Sequence, residues 1–202
     1  MRDRVIRDEI HRDVLVPAHH ARIIDTNEFQ RLRNIQQLST CEFVFPSATH
    51  TRFAHSLGAY FLAGELTSSL QEVQPGLLSD SDAELVQIGA LLHDIGHPPY
   101  SHLLETPEVF ATFHSHEHWG RILLESNDSE IGKVLADVLG EERKQRLFAL
   151  LDGQNECNGV PIAPFLKEII SSQLDVDRMD YMIRDQANTG AQIGGFDSAR
   201  VI

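Results

Sequence analysis

The sequence predicts a mainly α-helical domain with a short β-hairpin at its N-terminus. Two segments, 25–28 and 81–84, have the D/S-x-x-E form of a capping box, which marks the start of a helix. Short apolar runs at 5–11 and 14–16 predict the two strands of the hairpin. After the second capping box the apolar residues recur at helical spacing, which indicates one buried face: Leu85, Ile88, Leu91, Leu92 and Ile95.

The ends of the predicted helices follow from residues that cannot continue a helix. Pro75 and Gly76 end one helix, and Gly96 is placed to cap another before Pro98 and Pro99. The stretch 152–164 is rich in glycine, asparagine and proline and predicts a surface loop. We predict helices over these residues in chain order: 25–38, 51–71, 81–95, 116–126, 129–150 and 165–186.

Composition and charge restrict the classes of function. A chain of 202 residues, 42% hydrophobic and 23% charged, suits one globular domain over 1–202. Its net charge of -13 repels phosphate backbones, so nucleic acid is an unfavourable partner. No apolar run has the length of a membrane span, and the charged N-terminus leads into no secretory signal. The two cysteines, Cys41 and Cys157, form no CxxC pair, which predicts a reducing, cytoplasmic location.

The segment 93–102 contains three histidines and an aspartate at the end of a predicted helix. Six of the eleven histidines lie between 93 and 118. His93 and Asp94 could both bind one metal ion, because imidazole and carboxylate suit Zn, Fe, Mn and similar divalent ions. The alternative is a helix-terminal histidine beside a solvated aspartate. The apolar helix before the pair favours the metal site, since a buried aspartate needs a partner.

Three other segments contain candidate ligands or catalytic groups. Arg52 and His55 are three residues apart and share a helix face, where arginine could bind an anionic oxygen. Asp177 lies in a largely apolar stretch, whereas Asp180 and Arg184 have the spacing of a surface salt bridge. His50 is interpreted as a structural residue. The pair at 116 and 117, histidine then glutamate, could provide a general acid or base, or could be an adventitious cluster.

Taken together, these segments resemble the HD superfamily of metal-dependent phosphohydrolases. The resemblance is strongest to the branch that contains the deoxynucleoside triphosphate triphosphohydrolases and dGTPase-like HD proteins. It extends over nearly the whole chain in the family's order, and the ordered set is more specific than any one segment. The matching segments are these: 5–8, 24–33, 35–38, 45–58, 91–102, 116–117 and 174–185. His11 is followed by Arg12, where the family often has glycine.

The resemblance implies a role for each matching residue. The metal ligands would be His55, His93, Asp94 and Asp177. The catalytic residues would be His97, His116 and Glu117. The substrate would be bound by Arg52, His102 and Arg178 on the phosphate side and by Gln37, Leu38, Tyr181 and Asp185 around the deoxyribose. An activating nucleotide would contact Asp25, Gln30 and Arg33. The implied cofactor is a divalent ion, such as Fe, Mn, Mg or Zn, and the implied partner is a small nucleotide.

The expected reaction is hydrolysis of a deoxynucleoside triphosphate at the α-phosphorus, which gives a deoxynucleoside and tripolyphosphate. Two alternatives stay open: a broader nucleotide phosphatase or phosphodiesterase on the same site, and a non-catalytic nucleotide-binding module. No G-Y-P triplet follows the His-Asp pair, which disfavours the cyclic-dinucleotide subgroup. Full-length relatives continue past residue 202, so we expect a C-terminal lobe to be missing and the full-length protein to be a homo-oligomer.

Overall fold

A computed structural model describes residues 2–100, 103–104 and 114–192, and it confirms the mainly α-helical fold with an N-terminal hairpin. The strands of the hairpin are β1 (Arg4–Asp8) and β2 (Arg12–Val16), and a second, two-residue pair is formed by β3 (Glu156–Cys157) and β4 (Val160–Pro161). The described helices are α1 (Ala18–Ile24), α2 (Asn27–Gln30), α3 (Arg52–Val73), α4 (Asp80–Leu92), α5 (His116–Glu125), α6 (Glu130–Leu151), α7 (Pro164–Ile170) and α8 (Val176–Thr189).

The predicted hairpin forms, and its turn is held by a side chain. β1 and β2 are antiparallel, from the pair Arg4 and Val16 to the pair Asp8 and Arg12. Asp8 Oδ1 accepts hydrogen bonds from the backbone N–H groups of Ile10 (2.9 Å) and His11 (2.8 Å). Arg12 has a φ of 65°, a conformation that favours glycine. The turn therefore has the left-handed backbone conformation that favours glycine, although the residue at this position is arginine.

Several predicted helix boundaries were wrong. The helix expected over 25–38 is only one α-turn, α2, followed by a 3₁₀ turn at Arg31–Asn34. The helix expected over 165–186 is two helices, α7 and α8, because Asp175 caps a new helix start and accepts a hydrogen bond from the N–H of Arg178 at 2.7 Å. The capping residue of α4 is Ser79 rather than Ser81. Helix α1 was not predicted.

Helix α3 lies at the centre of the fold. It contacts α4, α8 and both strands of the hairpin, while α4 also packs on α6 and α7. The most fully buried large apolar side chains come from most of these helices: Tyr60, Phe29, Phe148, Ile23, Leu32, Leu62, Leu85, Ile88, Leu91, Leu92 and Ile95. The candidate metal ligands lie where one end each of α3, α4 and α8 come together.

Gly96 has a different role from the predicted helix cap. Its φ is not among the positive values of the chain. A Cβ atom at Gly96 would lie 2.0 Å from the carbonyl oxygen of His116 and 2.2 Å from the amide nitrogen of Gly120. Glycine is required here because the turn after α4 and the start of α5 are in direct backbone contact.

Two helices have the length of a membrane span but not its composition. α3 and α6 have 22 residues each, and α6 is interrupted at Gly140, where φ is 72°. Crossing a bilayer takes about 20 predominantly apolar residues. Among the residues that the structure describes, no helix combines that length with sufficient apolarity.

Candidate metal centre and active site

The four predicted metal ligands converge from three parts of the chain. His55 lies in the first turn of α3, His93 and Asp94 follow α4, and Asp177 lies in the first turn of α8. His55 Nε2 is 3.0 Å from Asp177 Oδ1 and 3.7 Å from Asp94 Oδ2. His93 Nε2 is 3.4 Å from Asp94 Oδ1 and 3.6 Å from Asp177 Oδ1. The side chains of residues up to 122 positions apart in sequence are therefore close enough to bind one ion.

The two histidines that are candidate ligands, His55 and His93, each use the other ring nitrogen, Nδ1, in a hydrogen bond within the protein. His55 Nδ1–H donates to Asp180 Oδ2 at 2.8 Å, and His93 Nδ1–H donates to the carbonyl oxygen of Ala90 at 2.8 Å. Such contacts fix the tautomer and the ring orientation of a metal ligand. Both Nε2 atoms are buried and make no well-formed hydrogen bond to the described residues. Each Nε2 atom therefore faces the carboxylates of Asp94 and Asp177, where it could coordinate an ion bound between them.

This donor set fits a divalent ion. Ligand atoms about 2.1 Å from one ion lie roughly 3.0–3.5 Å from each other, which is close to the separations seen here. Burial opposes the charge on His55, yet the carboxylates of Asp177 and Asp180 raise its pKa to about 10. Burial likewise opposes ionisation of Asp177, and His55 and His93 lower its pKa. The raised pKa of His55 reports a strongly negative local potential, which favours a bound cation.

His97 and His116 form a stacked pair beside the ligands. Their ring centroids are 3.7 Å apart with an angle of 15° between the planes. His97 Nε2 lies 3.3 Å from Asp94 Oδ1, and His116 Nε2 lies 3.3 Å from Glu117 Oε1. Burial lowers the pKa of His97 to about 4, although the nearby Asp94 opposes this shift. His97 is consequently neutral at neutral pH.

Arg52 is buried at the start of α3 and donates from Nη1 to Asp94 Oδ2. Thr51 precedes it and caps the helix by accepting from the N–H of Ala54. The cap fixes where α3 begins, so that Arg52 and His55 both face the centre. A guanidinium beside the ligand carboxylates places a cation next to the ion site, where an anionic substrate would need it.

A cavity of about 530 Å³ opens beside these residues. Its wall contains three of the four predicted ligands and both stacked histidines. It also contains four residues predicted to contact the sugar, Gln37, Leu38, Tyr181 and Asp185. Arg178 is not part of the wall, since its Nε donates to the carbonyl oxygen of Ser172 at 3.0 Å and its side chain is half exposed. His102 lies outside the described residues.

Two sugar-side residues have informative partners. The side-chain oxygen of Gln37 is buried at the cavity wall and accepts no hydrogen bond from the described residues. His50, expected to be structural, donates from Nε2 to Asp185 Oδ1 at 2.8 Å and so holds that carboxylate in place. The cavity wall thus contains an unsatisfied acceptor, the Gln37 side-chain oxygen, and a carboxylate held in place, that of Asp185.

Sequence reasoning missed part of the cavity wall. Arg121 and Lys167 contribute cations to it, and Asp152 contributes a carboxylate that lies 3.1 Å from Arg121 Nη1. Lys167 Nζ donates to the carbonyl oxygen of Leu151 at 2.6 Å. Only Arg121 had a signal in the sequence, since it follows His116 by five residues on the same helix. The other two depend on how α6 and α7 pack.

The predicted surface salt bridge between Asp180 and Arg184 was wrong in its placement. The pair exists, with Arg184 Nε donating to Asp180 Oδ2 at 2.9 Å, but both side chains are 0% exposed. The i, i+4 spacing is the same for an exposed and a buried pair, so the sequence could not distinguish them. Asp180 instead holds the Nδ1 atom of the metal-ligand candidate His55.

The three residues predicted to bind an activating nucleotide lie away from the cavity wall. Both carboxylate oxygens of Asp25 accept from Arg4 of β1 at 2.6 Å. Arg33 Nε donates to Gln30 Oε1 at 2.8 Å, and the Arg33 guanidinium covers the ring of Phe53. Gln30 and Arg33 are therefore together, while Asp25 is tied to the hairpin.

Comparison with known proteins places the chain in a family. The HD domain family matches residues 52–185. The chain is 39% identical over 199 residues to the uncharacterized protein MJ1154 of Methanocaldococcus jannaschii. It is 38% identical over 224 residues to the deoxynucleoside triphosphate triphosphohydrolase SAMHD1 of Homo sapiens and 36% identical over 217 residues to the uncharacterized protein YwfO of Bacillus subtilis.

These three alignments cover 98%, 98% and 99% of this chain, respectively. They cover 37%, 35% and 43% of the corresponding relatives, so the chain spans less than half the length of the proteins it matches. The family match contains every candidate ligand, from His55 to Asp177. By this match, and in agreement with the geometry of its donor set, the chain belongs to the HD domain family.

Proposed function

We propose that this chain is the catalytic segment of a metal-dependent phosphohydrolase that converts a deoxynucleoside triphosphate to a deoxynucleoside and tripolyphosphate. The observation that carries the proposal is the convergence of His55, His93, Asp94 and Asp177 beside a nucleotide-sized cavity, whose wall contains the last three. The name of the human relative, a deoxynucleoside triphosphate triphosphohydrolase, supports the choice of substrate.

The phosphate side of the proposed site is formed by Arg52, His97 and His116. A divalent ion, when bound, would polarise the α-phosphoryl group and lower the pKa of a coordinated water. Arg52 offsets negative charge that develops during phosphoryl transfer. Neutral His97, held by Asp94, can orient an attacking water without repelling the ion.

The bond changes of the proposed step balance without a further reactant. The oxygen of water forms a bond to the α-phosphorus, and the bond between that phosphorus and the sugar O5′ breaks. His116, oriented by Glu117, donates the proton that O5′ takes up as it leaves. The attacking water releases a proton to solvent, and His116 regains its proton from solvent. The products are a neutral deoxynucleoside and tripolyphosphate. Arg178 and His102 remain predicted phosphate contacts.

The sugar side of the proposed site favours a deoxyribose. The unsatisfied Gln37 oxygen can accept from the 3′-hydroxyl, and Asp185 is held by His50 where it can do the same. Tyr181 and Leu38 fill the space beside them. We propose that this side disfavours a 2′-hydroxyl for lack of room.

Product analysis tests the proposal. Purified protein is incubated with Mn²⁺ or Mg²⁺ and each deoxynucleoside triphosphate in oxygen-18-labelled water, and the products are separated by chromatography. We expect deoxynucleoside and tripolyphosphate, with the label in the tripolyphosphate because attack is at phosphorus. Label in the deoxynucleoside would contradict attack at phosphorus.

Other product patterns would replace this proposal by a different one. Release of orthophosphate would favour the nucleotide phosphatase or phosphodiesterase. Nucleotide binding without turnover would favour a binding module. A cytoplasmic location, homo-oligomeric assembly and an activating nucleotide at Asp25, Gln30 and Arg33 stay predictions from the sequence.

A further inference from the structure

The orientation of His55 depends on a buried network that begins at Asp180. Asp180 Oδ2 accepts from His55 Nδ1 at 2.8 Å, and both side chains are fully buried. Without that hydrogen bond the ring of His55 would lose the contact that fixes its tautomer. Asp180 is therefore the residue through which other groups can act on this metal ligand.

Asp180 is itself held on both oxygens. Arg184 donates from Nε to Oδ2 and from Nη2 to Oδ1, each at 2.9 Å. His11 of the hairpin turn lies with its Nε2 2.7 Å from Oδ1. The space is also filled on the α3 side, since a Cβ atom on Gly58 would lie 1.8 Å from Asp180 Oδ1. The carboxylate of Asp180 consequently has one available position.

The network ends in the hairpin at Asp8. Arg184 Nη1 donates to Asp8 Oδ2 at 3.0 Å, and Nη2 donates to Asp8 Oδ1 at 3.2 Å. The same Asp8 Oδ1 holds the turn by accepting from the N–H groups of Ile10 and His11. The shape of the turn and the position of the guanidinium are thus set by one carboxylate.

The charges of the network, like its geometry, favour metal binding at His55. Two carboxylates, Asp8 and Asp180, face one guanidinium, Arg184. The carboxylate of Asp180, fully buried beside His55 Nδ1, increases the basicity of that imidazole as a ligand.

The hairpin lies outside the segment 52–185 that matches the HD domain family. We infer that the hairpin is nevertheless part of the metal centre: Asp8 and His11 are positioning residues that, with Arg184 and Asp180, orient His55 for metal binding. The inference rests on the proposed function only in taking His55 as a ligand. A hairpin that is merely anchored by a salt bridge would affect stability but not metal affinity.

A matched pair of variants in the hairpin separates these two roles. Asp8→Asn removes the charge that faces Arg184, whereas Asp13→Asn removes an exposed carboxylate whose partner is Arg7 of the same hairpin. Mn²⁺ affinity is measured by competition with a fluorescent chelator, without nucleotide. We expect Asp8→Asn to weaken Mn²⁺ binding about 10–100-fold, as loss of an outer partner does elsewhere. Asp13→Asn should bind Mn²⁺ as the unaltered chain does.

A spectroscopic measurement reports on His55 directly. The buried Nδ1–H proton of His55 should give a downfield proton resonance that is absent in His55→Gln. In Asp8→Asn this resonance should shift or broaden, and in Asp13→Asn it should not. Folding of each variant is checked by circular dichroism.

The outcomes are distinct from those of the function test. An unchanged Mn²⁺ affinity and an unchanged resonance in folded Asp8→Asn would overturn the inference, even if the chain hydrolyses nucleotides. Weakened Mn²⁺ binding in that variant would support it, even if no nucleotide is hydrolysed. Should Asp8→Asn fail to fold, His11→Phe, which removes the Nε2 contact to Asp180 and keeps a ring against Phe61, is measured in the same way and decides the question.

Discussion

At the scale of single residues, the site is determined by which atoms are left unsatisfied. His55 and His93 each use Nδ1 for a hydrogen bond within the protein and leave Nε2 toward the carboxylates. Buried polar atoms without partners are costly, and an ion removes that cost. The unsatisfied oxygen of Gln37 lies on the same cavity wall. These unsatisfied atoms locate the candidate ligand-binding site more specifically than the burial of the surrounding residues does.

Asp177→Ala should abolish both metal binding and hydrolysis. It removes the oxygen that lies within 3.6 Å of both ligand histidines. The loss of affinity should exceed the roughly 10–100-fold that loss of an outer partner causes. Mn²⁺ affinity and turnover are measured together, with the exposed Asp128→Ala as control. Retained metal and rate would remove Asp177 from the ligand set.

Gln37→Leu should weaken substrate binding and leave metal affinity unchanged. The variant removes one acceptor for the sugar, which contributes about 0.5–1.5 kcal/mol, or roughly a two- to tenfold rise in KM. Gln36→Leu is the matched control because Gln36 bonds to Glu42 and is not part of the cavity wall. Equal KM values for the Gln37 variant and the unaltered chain would place the sugar elsewhere.

At the scale of elements, close backbone contacts bring the catalytic groups together. Gly96 lets the start of α5 approach the turn after α4, and the approach stacks His116 on His97. The break between α7 and α8 has a similar effect, because the Asp175 cap places Asp177 in a first turn. Neither follows from periodicity, since both the 81–95 and 165–186 patterns are compatible with uninterrupted helices. The Gly96 contact depends on residues of another helix, whereas the break between α7 and α8 is set locally by the Asp175 cap.

Gly96→Ala should separate His116 from His97. The added Cβ would collide with the backbone at His116, so α5 must move. Overpacking of this kind costs about 1–3 kcal/mol of unfolding free energy. Gly120→Ala is the control, since a Cβ there meets its nearest atoms at an ordinary 3.4 Å. Chemical denaturation should show a loss of stability in Gly96→Ala alone, with turnover reduced more than metal affinity; equal stability of the two variants would refute the contact.

At the scale of the whole molecule, charge is distributed unevenly. The chain carries a net charge of -13, yet Arg52, Arg121 and Lys167 all reach the wall of one cavity. An anionic substrate is therefore repelled by the surface in general and accommodated at this place. Away from the cavity, ion pairs connect separate helices: Glu84 of α4 contacts His19 and His20 of α1 and Arg143 of α6.

Stability in acid should depend on Glu84. Burial opposes its ionisation, but hydrogen bonds from Arg143, His19 and His20 lower its pKa from 4.5 to about 2. A carboxylate whose pKa is lower in the folded state stabilises that state above its unfolded pKa, and the contribution disappears as the pH falls through the folded pKa. Glu84→Gln should therefore melt at a lower temperature than the unaltered chain at pH 5.

The difference in melting temperature between the two proteins should shrink as the pH falls from 4.5 to 2. Thermal unfolding followed by circular dichroism measures it, and Glu72→Gln, at an exposed position of α3, is the control. A difference that stays constant over this range would show that the carboxylate does not titrate as expected.

The sequence by itself determined the helical fold, the hairpin and the identity of the candidate ligands. Apolar spacing and helix caps predict local structure, because they depend on residues close together in sequence. For the same reason, the density of histidine and aspartate at 93–102 predicts a metal site. It also suggested His55 and Asp177, through resemblance to a family whose ordered motifs span the chain. The structure brings these four residues together, and their roles as metal ligands stay predictions.

Only the tertiary structure decided how the site is supported. Arg184 and Asp8 are 176 residues apart, and His55 and Asp180 are 125 apart, so no local pattern could pair them. The spacing of Asp180 and Arg184 predicted an exposed ion pair, and packing against α3 and the hairpin buried it instead. Burial is a property of what surrounds a side chain, and here the surroundings include a hairpin that lies outside the family match.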